Sequence, residues 1–266
     1  MDFKDYFSRF NNHDFGYCSI CNIESKLTFD HVPPQSCGNH GLYKINTFPE
    51  ITKWQFSRNG LKFKTICANC NNVLLGSTDK DLAEFCDRVK TYLKGIKNNI
   101  SYPNSYNIEI NPQNIIKGVI GHLLAAKRPP MHSKEKPSGD YWEDLKDIFD
   151  GKNRPEYVIC IGFHDYSTVN IFPFISIGRF GEMSNAKIFS TLSFFPLSFI
   201  ITNERTFANR NKFIRLRFDL KNQYIDLRLL KHVSQKYPLD RITGMEAALF
   251  ANEQNYVADR VSRLFF

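Results

Sequence analysis

Two Cys-x-x-Cys pairs, Cys18/Cys21 and Cys67/Cys70, stand 45 residues apart near the start of the chain. Four thiols in this arrangement can close a tetrahedral zinc site with no open position, and a closed site staples a chain rather than reacting. The segment between the pairs is rich in Asn, Gly and Pro and short of long apolar runs. A metal, rather than a core of its own, is therefore what organises it. Seven cysteines in 266 residues are too few and too odd in number for a secreted disulfide scaffold. Cys37, Cys86 and Cys160 have no pairing logic and read as buried thiols.

The rest of the composition narrows the class. With 24 Phe and 14% aromatic residues, too much apolar surface is present for a disordered chain. A formal charge of +8 points to a polyanion, nucleic acid or an anionic membrane surface, although charge for solubility reads the same way. "MDFKDYFSRF" has acids where a signal peptide needs basic residues, and it lacks an apolar stretch. The most apolar run, "IFSTLSFFPLSFIIT" (188–202), is too short to span a bilayer and contains Pro196, so it reads as buried strand. These features lead us to expect a cytoplasmic chain with no membrane partner.

Periodicity divides the chain. Residues 1–17 read as an amphipathic lead-in and 18–76 as the metal-centred module. From Asp79, Leu82, Phe85, Cys86, Val89, Tyr92, Leu93 and Ile96 recur at helical spacing. Residues 100–112 break the period and read as a linker or short strand. A second helix follows Pro112, a third spans 140–149, and 128–139 is a loop. Strand-like runs cover 156–163, 168–178, 188–202, 212–220 and 223–230, and a final helix is expected over 243–262. The fold class is α+β with a mainly antiparallel sheet, divided into a module of residues 1–99 and a domain of residues 100–266.

Chemistry enters through the residues that the cysteines enclose. Asp30-His31 lies between the pairs, and Asn71 directly follows Cys70. A neutral imidazole can take a proton from water near neutral pH. One carboxylate and one amide oxygen can hold a hard divalent ion and leave its other positions to water and phosphate. On a strand, adjacent residues face opposite ways, so Asp30 and His31 need a twisted or bulged strand end to serve one site.

The order Cys-x-x-Cys, Asp-His, Cys-x-x-Cys-Asn resembles the HNH (ββα-metal) endonucleases, most closely their endonuclease VII-like branch, over roughly residues 18–85. "FDHVPPQS" is also similar to the Asp-His-hydrophobic-x-Pro-x-Ser stretch of HNH domains in RNA-guided nucleases. The resemblance implies structural Zn²⁺ on the four cysteines and DNA phosphodiester hydrolysis with Mg²⁺ or Mn²⁺. It implies His31 as general base and Asp30 and Asn71 as ligands of that ion. The family's loop-bracing asparagine falls by offset on Asn46, with Asn39 and Asn59 also in the loop. The family's further acid or histidine, one helical turn beyond the ligand, is here Leu74 or Leu75. Association with such stand-alone proteins suggests a role in prokaryotic or phage defence or restriction. A junction-resolving nuclease and a zinc-ribbon binding protein without catalysis are the competing expectations.

Two basic stretches are candidate nucleic-acid contacts. Lys44, Lys53, Arg58, Lys62 and Lys64 alternate with Tyr43, Phe48, Trp54, Phe56 and Phe63, a pattern that suits phosphates and stacked bases. The same aromatics also read as the module's own core. Arg210, Lys212, Arg215 and Arg217 form a second stripe, which reads equally well as a charged edge strand. DNA is the expected partner, RNA is not excluded, and the second domain could serve a homodimer or a partner protein. His40 reads as a surface-loop residue, His122 as a satisfied core histidine, and His164 as part of a turn.

Overall fold

A computed structural model describes residues 14–48, 55–98, 105–126, 140–152, 154–179, 186–204, 207, 212–238, 246–249 and 255–261. The first part is a small three-stranded sheet followed by a helix. Its strands are β1 (Phe15–Tyr17) and β2 (Glu24–His31), which then skips β3 (Tyr43–Phe48) and β4 (Gln55–Ser57) to pair with β5 (Lys62–Cys67). β2 and β5 run antiparallel, with a bulge between Thr28 and Phe29. The chain leaves β5 through a wide π-type turn over Cys70–Leu75 and enters α1 (Gly76–Lys97). Leu82, Phe85, Cys86, Val89 and Tyr92 are the buried face of α1, as their spacing requires. The helix begins earlier than the periodicity indicates, because a turn anchored at both cysteines precedes it.

β6 (Asn107–Ile110) leads to α2 (Pro112–Ala126), which is buried along most of its length, and then to α3 (Asp140–Phe149). The remaining strands are β7 (Val158–Phe163), β8 (Thr168–Arg179), β9 (Lys187–Phe194), β10 (Leu197–Thr202), β11 (Ile214–Arg215), β12 (Gln223–Asp226), β13 (Glu246–Leu249) and β14 (Asn255–Arg260). One antiparallel sheet runs β11-β7-β10-β9-β8-β14-β3-β4, with β13 on β8, and a separate ribbon pairs β12 with β6. The architecture is thus α+β and mainly antiparallel. No helix among the described residues is long and apolar enough to cross a membrane.

Several expected elements take another form. The 188–202 run is a hairpin, β9 and β10, that turns at Phe195-Pro196. Proline cannot donate to a central ladder, so the break falls there. Of the expected strand over 212–220, two residues pair, and Gln223–Asp226 joins the short strand inside the expected linker. The expected 243–262 helix is replaced, in its described part, by β13 and β14, because two neighbours, β8 and β3, supply hydrogen bonds along β14. β3 and β4 belong to the segment between the cysteine pairs, yet they extend the large sheet beside β14. One continuous core spans both sides of residue 99, from Cys18 and Phe63 to Phe199 and Tyr256.

Gly121 controls how α2 approaches the first part. A methyl group there would lie 2.2 Å from Leu75 Cδ2 and 2.9 Å from Phe149 Cε2. Only glycine lets α2 press against both, and the residue that follows it is His122.

Candidate functional site

The four cysteine sulfurs of both pairs lie within 4.8 Å of one another. Cys21 Sγ and Cys67 Sγ are 3.9 Å apart. Four sulfurs about 2.3 Å from a tetrahedral zinc are about 3.8 Å from each other, so the set fits such an ion. Backbone N–H groups already point at the sulfurs: Cys67 N donates to Cys18 Sγ at 3.3 Å and Cys70 N to Cys67 Sγ at 3.5 Å. The Cys70 thiol beside Cys18 pulls Cys18 down to about 5, while Cys70 is pushed up by the same contact. Burial raises Cys21 to about 11. A metal cation would relieve this repulsion and let the whole set ionise. Trp142 of α3 donates its indole N–H to Ser19 O at 3.0 Å, which docks a helix on the loop of the first pair.

Asp30 and His31 end β2, two residues past the bulge, and still face opposite ways. Asp30 is 5% exposed and points under the sheet toward α2. His31 is half-buried, with Nε2 3.0 Å from the carbonyl of Asn59. A carbonyl only accepts, so Nε2 carries the hydrogen, and Nδ1 is left with its lone pair. Burial lowers the His31 pKa, against the opposing pull of the Asn59 carbonyl, and so favours the neutral ring. The first turn after β5 returns Asn71 to the same strand. Asn71 Nδ2 donates to Phe29 O at 2.8 Å and to Thr28 Oγ1 at 3.1 Å. Those bonds engage only the amide nitrogen and leave Oδ1 as an acceptor.

The loop brace is Asn39, and not Asn46. Asn39 is buried; its Nδ2 donates to Pro33 O at 2.6 Å and Leu61 O at 3.1 Å, and its Oδ1 accepts from Leu61 N at 2.8 Å. It ties the exit of β2 to the entry of β5. Gly60, at φ 90°, is required there, because a Cβ would come within 2.4 Å of Asn39 O. The turn it makes presents Asn59 O to His31. Asn46 sits in β3 opposite Val257, in the other sheet. Counting along the chain misses this, because the inserted β3–β4 hairpin carries Asn46 out of the loop.

His122 has a larger part than its sequence context indicated. It is fully buried, with Nδ1 3.0 Å from Asp30 Oδ2 and Nε2 2.8 Å from Asp79 Oδ1. Burial opposes its charge, but Asp30 and Asp79 together outweigh burial and raise its pKa to about 10. The imidazolium thus bridges two carboxyl groups. No cysteine-free group of three or more His, Cys, Asp and Glu ligand atoms converges among the described residues.

The basic candidates are dispersed. Lys62 faces His31 across the β2–β5 ladder. Lys64 pairs with Asp14 and lies 5.5 Å over the Phe29 ring. Lys44 is on β3 opposite Asp259, and Arg58 is exposed in the turn before Asn59. Arg215 lies on β11, Lys212 precedes it, and Arg217 is held by Asp219 at 2.6 Å. Lys53 and Arg210 lie outside the described residues. Of the aromatics in the insertion, Tyr43 and Phe63 are core residues. Leu75 packs inward and Leu74 is partly exposed, so neither adds a ligand at that turn.

Comparison of the chain with protein-family models, with characterised proteins and with solved structures gave no match.

Proposed function

We propose that the chain is a metal-dependent endonuclease of the HNH type, with a structural zinc on Cys18, Cys21, Cys67 and Cys70. The observation that carries this reading is how the polar atoms are spent. His31 commits Nε2 to Asn59 O and Asn71 commits Nδ2 to Phe29 O, so the lone pair of one and the oxygen of the other stay available. A bulged antiparallel pair followed by a metal-anchored helix is also the framework expected for such a site.

In this reading His31 Nδ1 removes a proton from the attacking water, and the Asn59 carbonyl stabilises the imidazolium that results. Asp30 and Asn71 would hold Mg²⁺ or Mn²⁺, which supplies Lewis-acid stabilisation of the phosphate. His122, 3.0 Å from Asp30 Oδ2, fixes that carboxylate in one orientation. Lys62, beside His31, is suited to a neighbouring phosphate. DNA is the preferred substrate and RNA a second one to assay; defence or restriction is the biological setting we favour.

One observation favours a second reading. Asp30 is almost wholly buried and already ion-paired, as it would be in a nucleic-acid-binding protein whose Asp-His has no catalytic part. Incubation with plasmid, single-stranded, branched DNA and RNA, in Mg²⁺, Mn²⁺ or EDTA, separates the two. Cleavage that needs the divalent ion and disappears in His31→Ala supports the enzyme. Binding without cleavage under every condition would overturn it, and a preference for branches would identify a junction-resolving enzyme.

A further inference from the structure

Two clefts of the described surface differ in how their cations are engaged, and the smaller adjoins the His31 loop. The larger, about 800 Å³, is lined by Lys152, Arg154 and Arg217, but carboxylates of Asp147, Asp144 and Asp219 already hold these cations. The smaller measures about 440 Å³, within the roughly 300–1,000 Å³ range of small-ligand pockets. Five parts of the fold converge on it. The loop after β2 contributes Pro33 and His40, α1 contributes Lys90, β14 contributes Arg260, and the turns after β7 and β9 contribute Tyr166 and Phe195.

Its lining has two kinds of group. Arg260 and Lys90 bring positive charge, and among the described residues Arg260 has no carboxylate partner; Lys90 shares Asp87 at 3.0 Å. Phe195 stands at the tip of the β9–β10 turn with 44% of its surface in solvent. Tyr166 is held edge-on by His164, with ring centroids 5.2 Å apart. Asp165, the one acid of the lining, is suited to accept from a base amino group. Aromatic rings beside cations suit a base and its phosphate, and a ring stacks on a base only once that base has left its own stack. Pro33 is two residues from His31, so their Cα atoms are at most about 7 Å apart. A strand seated in the cleft is therefore within reach of His31.

We propose that this cleft takes one unpaired nucleotide, its base against Phe195 and Tyr166 and its phosphate on Arg260 and Lys90. It would thereby direct the His31 site to unpaired segments of nucleic acid. The second statement rests on the nuclease reading; the first is a binding claim that can be tested without it.

The test uses the full chain carrying His31→Ala, in EDTA, with a fluorescently labelled single-stranded oligonucleotide and a blunt duplex of the same sequence, read by anisotropy. Phe195→Leu and Arg260→Gln should weaken single-strand binding, the former by about 5- to 150-fold, as stacking worth about 1–3 kcal/mol per base implies. Both should leave duplex binding unchanged, and Phe195→Trp should restore the affinity. Phe195 is exposed, so these changes do not endanger folding. Single-strand binding that is unchanged in both variants, or a parent that binds duplex alone, would overturn the proposal and leave the nuclease reading standing. A parent that binds neither form would also overturn it, while the nuclease reading is judged by the cleavage assay in Mg²⁺ or Mn²⁺.

Discussion

His122→Ala would strip the buried Asp30 carboxylate of its cation. His122 is fully buried and meets Asp30 at 3.0 Å and Asp79 at 2.8 Å, so the variant leaves two carboxylates facing a small cavity. Removing one partner of a buried ion pair costs about 3–5 kcal/mol. The rise of the His122 pKa from 6.5 to about 10 corresponds to roughly 5 kcal/mol of preference for the charged form, the same order. A loss of that size lowers Tm by roughly 6–20 °C in a chain of this length. Because the folded value is raised, this stabilisation is complete below about pH 6.5 and fades as the pH climbs through about 10. The assay is urea denaturation of zinc-loaded parent and variant at about pH 6 and about pH 9, with the difference narrowing at the higher pH. Asp79 is partly exposed, so Asp79→Asn should cost less than Asp30→Asn. A difference below about 1 kcal/mol at pH 6, or one that widens toward pH 9, would refute the charged bridge.

Three further outcomes follow from the same geometry. Cys67→Ser should lose one equivalent of bound zinc by mass spectrometry and lower Tm, and a chelator should do the same to the parent; equal metal content in both chains would remove the zinc staple. Asn39→Ala orphans the buried Leu61 and Pro33 groups and should cost about 2–3 kcal/mol. Asn46→Ala should stay within about 0.5 kcal/mol, and a reversed order of the two would restore Asn46 as the brace. Burial lowers the His164 pKa, so the unfolded chain takes up a proton that the folded one refuses. Stability from this residue is full above about pH 6.5 and falls as the pH drops. His164→Asn should flatten that acid limb in Tm measurements, and parallel acid losses in the two chains would discard the idea.

What the sequence could disclose was set by how local each interaction is. The cysteine pairs and the helix after them were legible, since fixed spacing carries both. Asp30, His31 and Asn71 were legible as residue types, but not the opposed directions of the first two. His122 was legible only as a core histidine, because its partners lie 92 and 43 residues away. The choice of Asn39 over Asn46 depends on which asparagine comes within reach of both Pro33 and Leu61, and no offset encodes that. The 243–262 segment contains good helix formers, and sheet neighbours far off in sequence overrode that preference in its described part.

β14 lies between β3 and β8 and is made about 210 residues after the strand it joins. Folding on the ribosome proceeds from the N-terminus, so the zinc-held part can form while β3 still lacks its neighbour. The hairpin that interrupts the His31 loop would wait, unpaired on one edge, until residues 255–260 emerge. A chain whose synthesis stops early would keep its four cysteines and yet lack the strand that carries Arg260. Completion of this edge of the sheet is thereby set by the last strand to be synthesised.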